Sequence, residues 1–358
     1  MAAPARTTAA APAEAPATAA SAEVASPAPL IGLNLAFAAS RMLMTAVELD
    51  LFGTLDDAPA TEAELRRRLN LHPRFARTFL DALQAHGLLR REDGRYHNTE
   101  LAGTFLVAGK PRYIGGFVEV ATRVQWQAWS RFTRALRTGE HQDDSPVDDG
   151  NELFRTRPDE DPDRIRRFMA AMDTHTGRAG SEIAERIDWS GYESVADLGG
   201  ARGNLLAHLV RRRPGVRGVN VDRAPARPFF DEHMAALGVA DRVSFLEADF
   251  FHDPLPETDV LVYGHVLHEW SQDTRAMLVR RAYDALPPGG SLVIYDRMLD
   301  DEAPDRDALL LSLTFMLTSA GGGEYRIGEC DEWLREAGFQ DVSFTPVLDN
   351  HTLAIARK

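Results

Sequence analysis

The spacing of apolar residues changes part-way along the chain. From Leu30 to about Gly180 they recur every three or four positions, the period of a helix buried on one face. Leu35, Ala39, Leu43, Ala46 and Val47 share one face of a first long helix, which Leu49 to Leu55 continue into a turn at Asp56, Asp57 and Pro59. Thr61 with Glu64 three residues on is a capping box, so a helix is predicted over Glu62 to Leu69. A second helix, Pro73 to Leu89, carries Phe75, Phe79, Leu80, Leu83 and Leu88 as its apolar positions. Arg90 to Tyr96 then reads as a hairpin around Asp93-Gly94. Helix, turn, helix, hairpin is the layout of a winged helix, which serves either to recognise DNA or as a dimerisation and packing module.

Linking helices follow, with Trp126-Gln127-Ala128-Trp129 and the amphipathic segment Arg164 to His175. Beyond about Ile183 short β-rich runs replace the helical period: Ser194 to Leu198, Val219 to Asp222, Val243 to Leu246, Val260 to Tyr263 and Leu292 to Tyr295. Helical stretches such as Asn204 to Arg213 and Thr274 to Leu286 separate them, the alternation of a doubly wound, mostly parallel sheet. Val342 to Leu348 and Thr352 to Ala356 are too close in sequence for a crossover and are predicted to form an antiparallel edge hairpin. Residues 1–29 are Ala, Pro, Thr, Ser and Glu with almost no large apolar side chain, and are predicted to be a disordered tail. The expected division is therefore 1–29, 30–180 and 181–358.

Composition narrows the function classes. With 54 acidic against 40 basic residues the chain carries a formal charge of −14, which argues against a nucleic-acid partner. One cysteine excludes an internal disulfide framework. The start lacks the basic and apolar blocks of a secretory signal, and no run of ~18 uninterrupted apolar residues follows, so a cytoplasmic protein with no membrane partner is expected.

The first β run ends in Asp197-Leu198-Gly199-Gly200-Ala201-Arg202-Gly203 and leads directly into a helix. Glycines there let the backbone approach a ligand closely, although buried turns are also glycine-rich for packing alone. Asp222 closes the second run, where a carboxylate can take both hydroxyls of a ribose. Asp249-Phe250 closes the third, an acid for an exocyclic amine beside an aromatic face. Together with Asp197, Gly199, Gly200 and Gly203, these resemble the S-adenosylmethionine site of Rossmann-like methyltransferases.

At the end of the fourth run stands Gly264-His265-Val266-Leu267-His268-Glu269-Trp270-Ser271-Gln272-Asp273. The Leu-His-acid-Trp-Ser-x-Asp run resembles that of the plant caffeic-acid and acetylserotonin type O-methyltransferases and their bacterial natural-product relatives, over residues 30–358. The resemblance implies an α/β, Rossmann-like methyltransferase domain with a mostly parallel seven-stranded sheet and an antiparallel C-terminal hairpin. Before it would come a helical, winged-helix-like domain that forms an intertwined homodimer. It implies S-adenosylmethionine as cofactor, a small aromatic acceptor, and His268 as general base oriented by Asp296 and Glu324. Asp296 stands where the family has Glu, and Glu324 follows Gly321-Gly322-Gly323 in the family's Gly-Gly-x-Glu-Arg run, with Tyr325 in place of the Arg. The family's Phe-x-x-x-Met-x-x-His pocket run maps onto Phe168, Met172 and His175, with Thr176 near the cofactor; at helical spacing the same stripe would serve as plain core. Glu269, Trp270 and Trp129 are further candidates for the acceptor wall. Gly264 stands where the plant enzymes have a lysine.

The chemistry has a clear demand. A phenol near pKa ~10 gives its proton to an ordinary imidazole near ~6.5 only uphill, by about 5 kcal/mol, so neighbouring acids must help the base. Two other readings stay open. A metal held by His268, Glu269 and a distant side chain would assist C-methylation of a 2-oxo acid, although no metal is expected for the His-x-x-His-Glu order of His265, His268 and Glu269. A metabolite-sensing winged-helix regulator would present Arg74, Arg77, Arg90 and Arg91 on one groove-facing surface.

Overall fold

A computed structural model describes residues 26–142, 162–348 and 350–358. Most of the segment predicted as a disordered tail, residues 1–25, lies outside the described residues. The first helix, α1, spans Ala28–Glu48 and α2 spans Leu51–Asp57. They are two helices rather than the predicted single one, because Asp50 sits in the left-handed region at φ +49 and breaks the ladder. Taken by itself, the first part of α1 exposes Leu30, Ile31, Leu33, Leu35 and Phe37, each by 55% or more. α1 is also the one described helix long and apolar enough, by length and composition, to cross a membrane.

After β1 (Ala60–Thr61) come α3 (Glu62–Arg68) and α4 (Pro73–Ala85), then β2 (Leu89–Glu92) and β3 (Arg95–Asn98). The capping box is present: the Glu64 N–H donates to the Thr61 hydroxyl, and the Thr61 N–H donates to the Glu64 carboxylate at 2.7 Å. α4 stops four residues before the predicted Leu89, because Gly87 turns the chain at φ +71 and delivers Leu89 to the sheet. Leu80 and Leu83 are buried, but Phe75 is not core: it is 65% exposed beneath the Arg74 guanidinium. Asp93 and Gly94, both at positive φ, make the hairpin turn, and β1 joins to give the order β1-β3-β2. Arg77 pairs with Asp81, Arg90 with Glu92, and Arg91 lies over the Tyr96 ring, so these arginines face partners of their own surface.

Four short helices follow: α5 (Glu100–Phe105), α6 (Gly115–Val120), α7 (Trp126–Ser130) and α8 (Phe132–Thr138), with a wider π turn over Ala121–Gln125. Then α9 runs unbroken from Pro162 to Arg186, through Gly180. Gly180 is needed there, since a Cβ at that position would lie 2.2 Å from the Leu205 carbonyl oxygen.

The second part alternates β4 (Ser194–Leu198), α10 (Asn204–Arg212), β5 (Arg217–Asp222), α11 (Arg227–Leu237), β6 (Val243–Glu247), β7 (Val260–Gly264), α12 (Gln272–Ala285) and β8 (Ser291–Asp296). It ends with α13 (Arg306–Thr318), α14 (Ile327–Ala337), β9 (Gln340–Val347) and β10 (His351–Arg357). The sheet order is β6-β5-β4-β7-β8-β10-β9, parallel through β8, with β10 antiparallel to both β8 and β9. The last two strands form the predicted hairpin, but only β9 is the edge: β10 inserts beside β8, pairing Thr352 with Asp296. β5 and β7 flank β4, so the crossovers leave β4 in opposite directions and open a crevice at the carboxyl ends of these strands. The central strands are fully buried Val, Leu and Ile, sealed by helices on both faces.

Candidate active site

The glycine turn builds a cradle. Gly199 and Gly203 have φ +81 and +78, and a Cβ on Gly200 would stand 2.1 Å from Asn220 Oδ1 and 2.8 Å from Asp197 Oδ2. Asp222 fixes the turn by accepting the Ala201 N–H at 2.8 Å on one oxygen and the Arg223 N–H at 2.7 Å on the other. Asp197 is buried, and burial, reinforced by the Asp222 charge, pushes its carboxyl up to about 7. Burial raises Asp222 as well. Two carboxyl groups held this way are relieved by a cation, and Asn220 Oδ1 is buried with no partner among the described residues. A positively charged nucleoside fits that donor set.

The other expected cofactor residues take different places. Phe250 stacks on Phe251 at 4.7 Å at the end of the crevice. Asp249 is half exposed, accepting from the Phe251 N–H at 2.9 Å with its other oxygen 2.9 Å from His252 Nδ1. The Thr176 hydroxyl accepts from Asn204 Nδ2 at 2.9 Å, tying α9 to the start of α10. A second tie went unread in the sequence: Arg202, inside the glycine turn, pairs with Asp173 of α9, and His233 Nε2 lies 3.6 Å from the same carboxylate.

The catalytic candidates converge. His268 sits in a single 3-10 turn, Leu267–Glu269, just after β7, and is buried. Its Nδ1 is 3.0 Å from Glu324 Oε1 and 3.7 Å from Asp296 Oδ1, so Glu324 bonds it directly and Asp296 acts through charge. The Tyr325 hydroxyl donates to the other Asp296 oxygen at 2.7 Å. Burial alone would lower the imidazole, but Glu324 and then Asp296 outweigh it and hold His268 up at about 9. Arg275 ties the parts together, donating to the Leu267 carbonyl at 2.8 Å and to that of Gly323, beside Glu324. With Nδ1 engaged, Nε2 is the nitrogen left for an acceptor's proton.

The expected acceptor wall divides. Phe168 and His175 lie on α9 and both meet Phe117, a residue the sequence reading did not single out, at 6.1 and 5.9 Å. Met172 lies on the same helix, partly buried. Trp129 donates to Thr314 Oγ1 of α13 at 3.1 Å, and the next residue, Phe315, stacks 4.3 Å from His268. Trp270 packs its ring edge-on against Phe251 at 4.5 Å, and Phe251 in turn stacks on Phe250. Glu269, beside the base, adds its charge to His268. The donor atoms of His265, His268 and Asp296 lie within 4.8 Å of one another, so a metal grouping would centre on these and not on Glu269.

Residues 129–340 match the family model of the O-methyltransferase domain, and residues 31–108 that of the O-methyltransferase dimerisation domain. The chain belongs to the O-methyltransferase family. It is a methyltransferase that uses S-adenosylmethionine. Among its relatives, the tetracenomycin polyketide synthesis 8-O-methyl transferase TcmO of Streptomyces glaucescens is 45% identical over 93% of this chain and 97% of its own. The N,N-dimethyltransferase OxyT of Streptomyces rimosus is 38% identical over 87% and 90%. The crystal structure of human N-acetylserotonin methyltransferase in complex with S-adenosylmethionine superposes with a TM-score of 0.79 at 25% identity, over 94% of this chain and 99% of that one. The glycine cradle with its two raised acids fits this cofactor, which supplies an electrophilic methyl group.

Proposed function

We propose that the enzyme methylates a hydroxyl group on a small aromatic acceptor of natural-product metabolism, with His268 as the general base. The observation that carries this is the His268–Glu324 contact at 3.0 Å with Asp296 at 3.7 Å, which engages Nδ1, leaves Nε2 for the acceptor's proton and raises the imidazole toward the pKa of a phenol. Glu324 fixes the tautomer and stabilises the imidazolium that forms as the hydroxyl proton moves to Nε2. Asp197, Asp222, Phe250 and the glycines hold the cofactor, and Phe168, Met172, His175 and Phe117 line the acceptor side. Relatives named for polyketide and naphthoate O-methylation support an aromatic oxygen acceptor. The dimerisation region includes the exposed apolar residues of α1, which supports a homodimer.

Incubation with labelled S-adenosylmethionine and a panel of catechols, polyketide phenols and hydroxyaryl acids, beside a His268→Ala variant, tests the reading. Transfer to an oxygen that falls at least ~100-fold in the variant is expected from the loss of a general base. Transfer to nitrogen or carbon, or an unaffected variant, refutes it.

A further inference from the structure

Beside the base stand three histidines that proton removal does not use. His265 leaves the end of β7 at φ +55, His351 opens β10, and His175 comes from α9. His265 Nε2 and His351 Nε2 are 3.0 Å apart, and the His175 ring lies 6.2 Å from the first ring and 5.6 Å from the second. On one side the His265 ring is 5.2 Å from that of His268. On the other, His175 meets Phe117. The cluster therefore spans the space between the base and the aromatic wall.

Charges of both signs border it: Asp296 Oδ1 lies 3.8 Å from His265 Nδ1, toward the base, and two arginines act on the cluster. Arg297, the residue after Asp296, acts on both His265 and His351, and Arg178 acts on His351. Burial first, then these neighbours, keep His265 well below its ordinary range and His351 down at about 3, so both rings rest neutral. Arg297 Nε and His351 Nδ1 are buried nitrogens with no hydrogen-bond partner among the described residues, and His351 is only 3% exposed. A buried polar atom is ordinarily paired, and these two unpaired nitrogens, one of them a guanidinium donor, call for an oxygen acceptor, best an anionic one.

We propose that His265, His351 and Arg297 bind a carboxylate carried by the acceptor on the ring carbon next to the hydroxyl that is methylated. This rests on the reading of His268 as base for an aryl hydroxyl and names the acceptor class further. A carboxylate beside a phenol accepts the phenol's proton in an internal hydrogen bond, which makes that proton harder to remove. Engaged by the imidazoles and the guanidinium instead, the carboxylate releases the hydroxyl to His268. The 5.2 Å between the His265 and His268 rings is short enough for neighbouring ring substituents to reach both.

The test compares salicylate and an ortho-hydroxynaphthoate with their methyl esters and with the parent phenols, using wild type, His351→Gln and Arg297→Gln. Expected are a kcat/KM at least about tenfold higher for acid than for ester in wild type, loss of most of that preference in either variant, and unchanged affinity for S-adenosylhomocysteine, consistent with a charge-assisted bond. Equal rates for acid and ester overturn the subsite while leaving the hydroxyl reading intact. A variant that weakens S-adenosylhomocysteine but not 5′-methylthioadenosine, which lacks the amino-acid carboxylate, overturns it too by giving the cluster to the cofactor. Calorimetric binding of the acid–ester pairs to wild type needs no variant and no turnover. If nothing is methylated yet the acids bind more tightly, the subsite stands and the hydroxyl reading falls; if they bind alike, the subsite falls.

Discussion

Replacing Glu324 with glutamine removes one negative charge from His268 Nδ1 and keeps an oxygen in place to accept its hydrogen bond. In the native site His268 is held up at about 9 because Glu324 and Asp296 together overcome burial, which acts in the opposite direction. Against an ordinary imidazole near ~6.5, that is on the order of 3 kcal/mol of extra proton affinity. Proton transfer from a phenol near ~10 is then uphill by about 1 kcal/mol instead of ~5. Glu324 is the nearer acid, at 3.0 Å against 3.7 Å for Asp296, so most of this gain goes with it. If half of the lost driving force reaches the transition state, kcat falls by about tenfold.

The pH profile separates this from a loss of shape. In wild type kcat/KM rises about tenfold per pH unit until the base is neutral, near pH ~9, whereas in Glu324→Gln the break moves to lower pH and the plateau drops. A variant whose break stays within about half a unit of wild type refutes the assignment of Glu324 as the source of the shift. Stability carries the same signature. A histidine whose folded pKa lies above its unfolded ~6.5 contributes stability that is complete below that value and is lost as pH rises through about 9. The wild-type melting temperature should therefore fall across that window, and the variant's should fall less.

Gly200→Ala drives a methyl to within 2.1 Å of Asn220 Oδ1, and a drop of at least about tenfold in S-adenosylhomocysteine affinity is expected by calorimetry. Asp197, pushed up to about 7, should lose its proton when a cation binds, so S-adenosylmethionine binding near pH 7 should release part of a proton, measured in buffers of differing ionisation enthalpy, and weaken as pH falls below that value. Leu33→Glu combined with Phe37→Glu places charges on the exposed apolar side of α1, and light scattering should show a monomer in place of a dimer.

What could be read from the chain depends on how local the cause is. The central strands β4, β7 and β8 stand where continuous apolar runs put them, because a strand covered on both faces has no polar side to hide. The Thr61 capping box and the Asp93-Gly94 turn are equally local. The helix break at Asp50 escaped because a left-handed aspartate has no fixed sequence sign. Trp270 stands two residues from the base, but its ring contact could not be read from that spacing. The tight 3-10 turn over Leu267–Glu269 sends side chains two apart to different sides, and the ring goes to Phe251. His265 and His351 are 86 residues apart and meet only because β10 inserts beside β8, an order that no short motif encodes.

The three departures from the plant pattern, Gly264, Asp296 and Tyr325, are linked through contacts. A Cβ at Gly264 would lie 2.1 Å from Tyr295 Cε1, so the Tyr295 ring fills the space where a lysine stem would begin, and that ring stacks edge-on against His265 at 5.1 Å. The shorter acid at 296 places one oxygen 3.7 Å from His268 and 3.8 Å from His265, while its other oxygen takes the Tyr325 hydroxyl. The positive charge that an arginine would bring at 325 comes instead from Arg275, whose guanidinium lies 4.9 Å over the Tyr325 ring and acts on the Asp296 carboxylate. Residues that share contacts in this way do not change independently. Gly264→Lys and Tyr325→Arg, made singly, are each expected to cost about 2–4 kcal/mol, the first by overlap with Tyr295 and the second by burying a second guanidinium beside Arg275. Urea unfolding of Tyr325→Arg with and without Arg275→Met measures the coupling. If the second change fails to recover any of the stability lost in the first, Arg275 does not occupy the arginine's electrostatic place.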